Sequence, residues 1–425
     1  MEKIPRTRDF IYTVDDLFFA STNYLHPENK IICFLRYVPN ENGDRELNGV
    51  KYSKVDSNEA YEYLRTNHPE YLFYDEVTQV KEMMGVPLDK IKKIIRPQDR
   101  LSEIREKYIP KINNNEDLDE KEELYSKLID LSDFFHYVAG IDYENLGISG
   151  SICPGLQKKG TSDLDFVVYG LENHRTAVNT FKKYKNQPVE ISKLGKTVTL
   201  NSISEEFFEK VYIKRIKDDS LTKEEFVWYE DRKSNRGLID NVLFDILATK
   251  GYYEISGYYG DTVYEPLGNT TIKCKITNAL ESFDNPAVYE ISDMEYVDGV
   301  EYPIVELASF THTYAGEVLE GEDVIARGKV ERVTCGDDSY YRIVVGTTRE
   351  SLNEFIKLDK SPVWFFLFFI FFLYLICLYW ILQCLQLPLL PLLQLVLGLL
   401  QLNLLLLMRF QPCLNLKLVN LGVLF

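Results

Sequence analysis

The segment Gly150–Gly170, GSICPGLQKKGTSDLDFVVYG, sets two aspartates one residue apart at the head of a β-branched and aromatic run. Burying such charge costs several kcal/mol unless a metal ion, a lysine or water compensates it. Side chains alternate faces along a strand, so Asp163 and Asp165 point one way while Leu164 turns to the core. Two carboxylates held that close repel and favour a cation between them. Mg²⁺ is the natural hard cation for oxygen ligands, and it shares its shell with substrate phosphates. This segment therefore demands a strand whose tip opens onto a polar, cation-accepting space.

Other residues fit around that tip. Eleven residues separate Gly150-Ser151 from Asp163. A glycine at a strand-to-helix turn lets backbone N–H groups approach a phosphate, and a serine hydroxyl and a helix N-terminus add to the attraction. Asp245, inside the apolar run VLFDIL, is the candidate third carboxylate from a neighbouring strand. Three carboxylates on adjacent strands can hold two metals for an in-line displacement at phosphorus. Asp240 and Glu190 are rivals, being acidic with apolar neighbours. Lys158, Lys159, Arg232, Lys233 and Arg236 are candidates for neutralising a triphosphate. The bland alternative makes the first two loop charge and the others a solvated helix end. The five histidines are scattered singly, and Cys153 has no base beside it in the sequence.

Composition bears on partners and compartment. The chain of 425 residues carries a net charge of −17, which excludes a generally basic nucleic-acid surface. Its seven cysteines form no C-x-x-C pair and read as reduced, mostly buried thiols. No apolar leader opens the sequence, so the expected location is cytoplasmic. Positions 361–425 differ from the rest: they contain no acidic residue, only Arg409 and Lys417 as basic ones, and 25 leucines in 65 positions. The run from Pro362 to Gln383 is about long enough to span a bilayer. The two readings are a membrane anchor and a reading-frame artefact, and a membrane is a partner only on the first.

Periodicity divides the rest. Residues 1–110 read as a β-rich domain with a helix from Ser57, taken as its N-cap, and a helical region after residue 87 interrupted by Pro97. Residues 117–250 read as helices and apolar strands around the aspartates. Residues 252–358 alternate like the short strands of a small barrel or sandwich. The expected fold class is α+β: a mixed-sheet central domain flanked by two β-rich domains, with a hydrophobic tail.

Gly150-Ser151, eleven residues, then Asp163-Leu164-Asp165-Phe166, with Asp245 following on a later strand, resembles the signature of the DNA polymerase beta-like nucleotidyltransferase superfamily. The stretches RDFIYTVDDLFFASTNY, LRYVP, YSKV and RKSNRGLIDNVLFDILATKG are similar to uncharacterised archaeal predicted nucleotidyltransferases, and the resemblance covers about residues 8–357. It implies a polymerase beta-like core that moves a nucleoside monophosphate from an NTP such as ATP to an acceptor hydroxyl, releasing pyrophosphate. Asp163, Asp165 and Asp245 would bind two Mg²⁺ ions; Gly150 and Ser151 would hold the triphosphate, with Lys233 and Arg236 as further nucleotide ligands. The acceptor stays open among RNA, a protein hydroxyl and a small molecule. The rival class is a non-catalytic nucleotide-binding module. An oligonucleotide-binding barrel at the C-terminal end would favour RNA, and the acidic balance opposes it.

Overall fold

A computed structural model describes residues 4–78, 80–119, 122–158, 160–346 and 352–360. The apolar C-terminal stretch, with both readings of it, lies outside the described residues. Those residues form a mixed α+β, β-rich structure of three sheets and six α-helices. No helix among them is long and apolar enough to cross a membrane.

The first sheet is antiparallel. It contains β1 (Phe10–Thr13), β2 (Phe18–Ser21), β3 (Lys30–Pro39), β4 (Arg45–Leu47), β5 (Val50–Lys54), β6 (Leu72–Asp75), β7 (Val80–Pro87) and β8 (Ile91–Ile95). Its order is β4-β5-β3-β2-β1-β8, with β7 bridging β3 and β6. Helix α1 (Ser57–Asn67) buries Ala60 and Leu64 against Phe19, Leu35 and Val86. Its N-cap is Asp56 rather than Ser57: the Asp56 carboxylate accepts from the N–H groups of Asn58 and Glu59, and Glu59 returns the bond to Asp56 N–H. A carboxylate caps as well as a hydroxyl and adds charge that suits the helix dipole. The helical region expected after residue 87 divides differently. IKKII is strand β8, and Pro97 opens the next helix instead of breaking one, since a first-turn proline lacks only an N–H that would be unpaired anyway.

Helices α2 (Pro97–Asn113) and α3 (Glu123–Tyr137) belong with the central sheet. Leu101, Ile104 and Tyr108 of α2 share one apolar cluster with Leu128, Leu131 and Phe135 of α3 and with Phe166 and Ile246 of the strands. The boundary expected at residue 110 thus falls inside a helix of the central core. That sheet holds β9 (Leu146–Ile148), β10 (Leu164–Tyr169), β11 (Gln187–Ile191), β12 (Lys196–Asn201), β13 (Arg236–Ile239) and β14 (Val242–Thr249). Its order is β11-β12-β13-β14-β10-β9, with β10 and β14 parallel and the other pairs antiparallel. Helix α4 (Leu171–Tyr184) covers one face through Ala177 and Phe181.

Helices α5 (Glu205–Arg215) and α6 (Lys223–Lys233) lie in the central stretch of sequence, yet the α6 residues Phe226 and Tyr229, with Leu221 before them, pack among Ile272, Leu307 and Ile343 of the third sheet. The third sheet consists of β15 (Thr262–Asn278), β16 (Ala287–Gly299), β17 (Ile304–Ser309), β18 (Asp323–Cys335), β19 (Asp338–Val345) and β20 (Phe355–Leu358). The long strand β15 pairs with β16 and with β18, which closes the ring β15-β16-β17-β19-β18; β17 and β19 are parallel, and β20 lies beside β18. Of the cysteines among the described residues, none is paired; Cys33, Cys153 and Cys274 are buried and Cys335 is exposed.

Arg6 fastens the start of the chain to the middle. It is buried, donates from Nη1 to the Lys250 carbonyl at 3.1 Å and from Nη2 to Gln98 Oε1 at 2.6 Å, and lies 4.0 and 3.9 Å from the ring centroids of Tyr169 and Tyr252. This double cation–π contact offsets the desolvation of a buried guanidinium.

Candidate functional site

Register brings the carboxylates together. In the parallel pair β10–β14, Asp165 is the direct neighbour of Asp245, so both project from the same face despite their separation in sequence. Asp163 precedes β10 by one residue and points with Asp165. One oxygen from each of the three lies within 4.8 Å of the others. Burial, then repulsion from Asp163 and Asp245, pushes the Asp165 carboxyl up from 3.8 to about 7, against the pull of Arg8 and Lys54. A carboxylate raised in this way is charged comfortably only when more positive charge arrives. The donor set therefore fits a divalent cation.

Gly150 fits the same spot for a steric reason. It follows β9 with φ at +57°, and a Cβ placed there would lie 1.7 Å from Asp165 Oδ2. Only glycine permits that approach. Ser151 is buried, and its hydroxyl hydrogen-bonds Ser162 Oγ at 3.0 Å, which in turn accepts from the Lys158 N–H at 2.8 Å. The Gly150–Gly155 segment is a succession of turns, and no α-helix intervenes between β9 and β10 among the described residues. The helix dipole expected behind Gly150 and Ser151 is thus missing there, because Cys153-Pro154-Gly155 turns the chain back before a helix can form.

The cations beside this turn come from the first sheet. Lys54 on β5 interacts electrostatically with Asp163 and Asp165, and Arg36 on β3 and Arg45 on β4 lie close to Lys54. Burial pulls Lys54 below its ordinary value, Arg36 and Arg45 push the same way, and Asp163 and Asp165 oppose them. Arg45 donates from Nη1 to the Leu156 carbonyl at 2.5 Å, which ties β4 to the turn. Phe10, Phe18, Tyr37 and Tyr52 pack with Cys153 and Leu156 and fix this contact.

The positive residues expected at the triphosphate, where described, are engaged by acceptors of the protein, and two of them, Lys233 and Arg236, line a cavity with Asp165 and Asp245. Arg236, on β13 opposite Asp245, grips both oxygens of that carboxylate, from Nε and, at 3.2 Å, from Nη2. Lys233 is buried, pairs with Glu230 at 2.7 Å and donates to the Thr313 carbonyl at 2.6 Å. Arg232 pairs with Glu322 at 2.6 Å. Lys158 pairs with Asp44 at 3.0 Å, and Lys159 lies outside the described residues. The rival carboxylates are remote: Asp240 is exposed beside Lys127 at 3.2 Å, and Glu190 is exposed on β11.

Sequence reasoning overlooked three further residues. Arg8, Arg215 and His312 line, with Arg236, Asp165 and Asp245, a cavity of about 130 Å³ between the central sheet and the barrel. Burial, then Arg8 and Arg215, pull His312 down to about 4, so it is neutral near pH 7. Only the φ of Arg8, +75°, marks it as unusual, and no sequence pattern announces that. A second cluster, Asp15, His68 and Glu70, already holds Lys90 at 3.4 Å from Asp15 and 3.6 Å from Glu70.

No family model matches the chain, and no solved structure matches it. The uncharacterized protein MJ1086 of Methanocaldococcus jannaschii is 43% identical over 365 residues, an alignment that takes in 84% of this chain and 99% of that protein. Identity of that degree over nearly the whole length of the relative means that the chain belongs to the MJ1086 family.

Proposed function

We propose that the chain is a Mg²⁺-dependent nucleotidyltransferase with a polymerase beta-like core. The observation that carries this reading is the convergence of Asp163, Asp165 and Asp245 within 4.8 Å at a strand tip against which Gly150 is pressed. When bound there, Mg²⁺ supplies charge neutralisation at the phosphates and a lowered pKa for the acceptor hydroxyl. The chain's own groups do the rest. The Gly150–Ser151 turn and the cations Arg36, Arg45 and Lys54 hold the triphosphate between the first and central sheets. Arg236 orients Asp245. The acceptor oxygen bonds to the α-phosphorus as the bond to the α–β bridging oxygen breaks; pyrophosphate leaves with the electron pair, and the hydroxyl proton passes to water. Alignment and charge stabilisation account for such catalysis.

The barrel argues against a polynucleotide acceptor. Single-strand binders combine basic grooves with aromatic platforms. Strand β16 instead exposes Glu290, Asp293, Glu295 and Asp298. The test is incubation of the protein with α-labelled NTPs, Mg²⁺ and separate pools of RNA, protein and small metabolites. Label should enter an acceptor with the native chain and not with Asp163→Asn or Asp165→Asn of native circular dichroism. Equal labelling by those variants would end this reading.

A further inference from the structure

The cavity beside Asp245 has a chemistry of its own. Arg8, from the first residues of the chain, Arg215, at the end of α5, Arg236, on β13, and Lys233 line about 130 Å³ of space together with the carboxylates Asp165, Glu230 and Asp245. Arg236 is committed to Asp245, and Lys233 to Glu230. The other two guanidiniums are underused. Arg8 donates from Nε to the Ala248 carbonyl at 3.2 Å, and no acceptor among the described residues meets its terminal nitrogens. Among the described residues Arg215 has only a loose ion pair, with Glu230 at 3.6 Å. Arg8 is also held in the left-handed region, with its N–H bonded to Ser21 O at 2.9 Å and its carbonyl accepting from Ser149 Oγ at 2.8 Å. Strained backbone persists where surrounding bonds over-determine it. Two guanidiniums facing a small cavity form a fork suited to a tetrahedral oxyanion.

Strand order gives the cavity a side. Gly150 follows β9, on one flank of β10, whereas Asp245, Arg236 and the cavity lie on the β14–β13 flank. In an in-line displacement the acceptor enters opposite the leaving pyrophosphate. The volume is below the roughly 300–1,000 Å³ of a complete small-molecule site, so it suits a head group and not a nucleoside. We propose that this cavity binds a phosphate monoester carried by the acceptor, so that the acceptor is a small phosphorylated molecule whose hydroxyl is brought to Asp245. This rests on the nucleotidyl-transfer reading.

Calorimetry on the full chain separates the two ideas. Inorganic phosphate is the probe for the cavity, and a non-hydrolysable NTP analogue with Mg²⁺ the probe for the nucleotide. Phosphate should bind the native chain, and bind at least fivefold more weakly to Arg8→Gln and to Arg215→Gln. The analogue should bind all three within twofold and leave phosphate in place. No phosphate binding by the native chain, a smaller loss in both variants, or displacement by the analogue would overturn the proposal. Should Arg8→Gln fail to fold, Arg215→Gln decides alone. In the transfer assay, label should enter phosphorylated sugars or nucleoside monophosphates and not their dephosphorylated forms; equal labelling also overturns it. Phosphate bound as expected with no analogue binding would remove the nucleotidyl-transfer reading and the acceptor assignment with it, leaving an oxyanion site.

Discussion

Gly150 carries two constraints at one Cα. Its φ of +57° costs any other residue about 1 kcal/mol, and a methyl group there would collide with Asp165 Oδ2. Gly150→Ala should therefore displace the carboxylate as well as strain the turn. We expect a lower thermal midpoint and at least a tenfold loss of Mn²⁺ affinity by titration; unchanged Mn²⁺ affinity would detach Gly150 from the metal site. Asp165 makes a second prediction at this scale. Its carboxyl titrates near 3.8 when unfolded and about 7 when folded, so the folded state holds the extra proton between those values. Stability from this group is full below about pH 4 and is lost as pH rises toward 7. In chelator, Asp165→Asn should gain on the native chain as pH rises from 4 to 8, by up to a few kcal/mol. Mg²⁺ should narrow that gap. Denaturant titrations at several pH values measure it, and a gap independent of pH would contradict the assignment.

At the scale of elements, the cap of α1 is the cleanest case. Asp56→Ala removes the acceptor of two N–H groups and half of a capping box, and should cost about 1 kcal/mol in urea unfolding, whereas Ser57→Ala should cost little. Ser57 was the expected cap; Asp56 stands directly before it, and only backbone geometry distinguishes the cap from the first turn. Strands β10 and β14 were legible because Asp165 and Asp245 each interrupt a strongly apolar run and Asp163 stands at the head of the first, an expensive arrangement without purpose. IKKII was not, since a short run of isoleucine and lysine suits a helix face as well as an edge strand. The cations were harder still. Arg8, Lys54 and Arg215 carry no local pattern, and they come near the carboxylates through packing between elements far apart in sequence. Lys233 and Arg236 drew attention by being clustered, and their partners turned out to be Glu230 and Asp245.

At the scale of the molecule, the three sheets share helices and charge. Removing the barrel by ending the chain at Lys250 would uncover Leu221, Phe226 and Tyr229 of the shared core. That fragment should aggregate and bind a hydrophobic dye, as a monodisperse, dye-silent fragment would not. The barrel also holds Glu317, fully buried, with both carboxylate oxygens lacking a hydrogen-bond partner. Burial raises its pKa well above the usual 4.5, so it is held neutral, and the cost of folding it grows as pH climbs above that value. Glu317→Gln should melt with the native chain near pH 4 and above it at pH 8, a difference that calorimetric scans at the two pH values would read.

The clasp of Arg6 has a consequence in time. Its acceptor, the carbonyl of Lys250, lies 244 residues further along the chain, and the Ala248 carbonyl that takes Arg8 lies 240 residues beyond its donor. A ribosome adding about 5–20 residues per second needs roughly 12–50 s to cover that distance. The first strands can pair during the interval, but the Lys250 and Ala248 carbonyls that take Arg6 and Arg8 are absent until the end of β14 emerges. The cavity beside Asp245 is consequently among the last parts of the described fold to close during synthesis, long after the residues that begin it have left the ribosome.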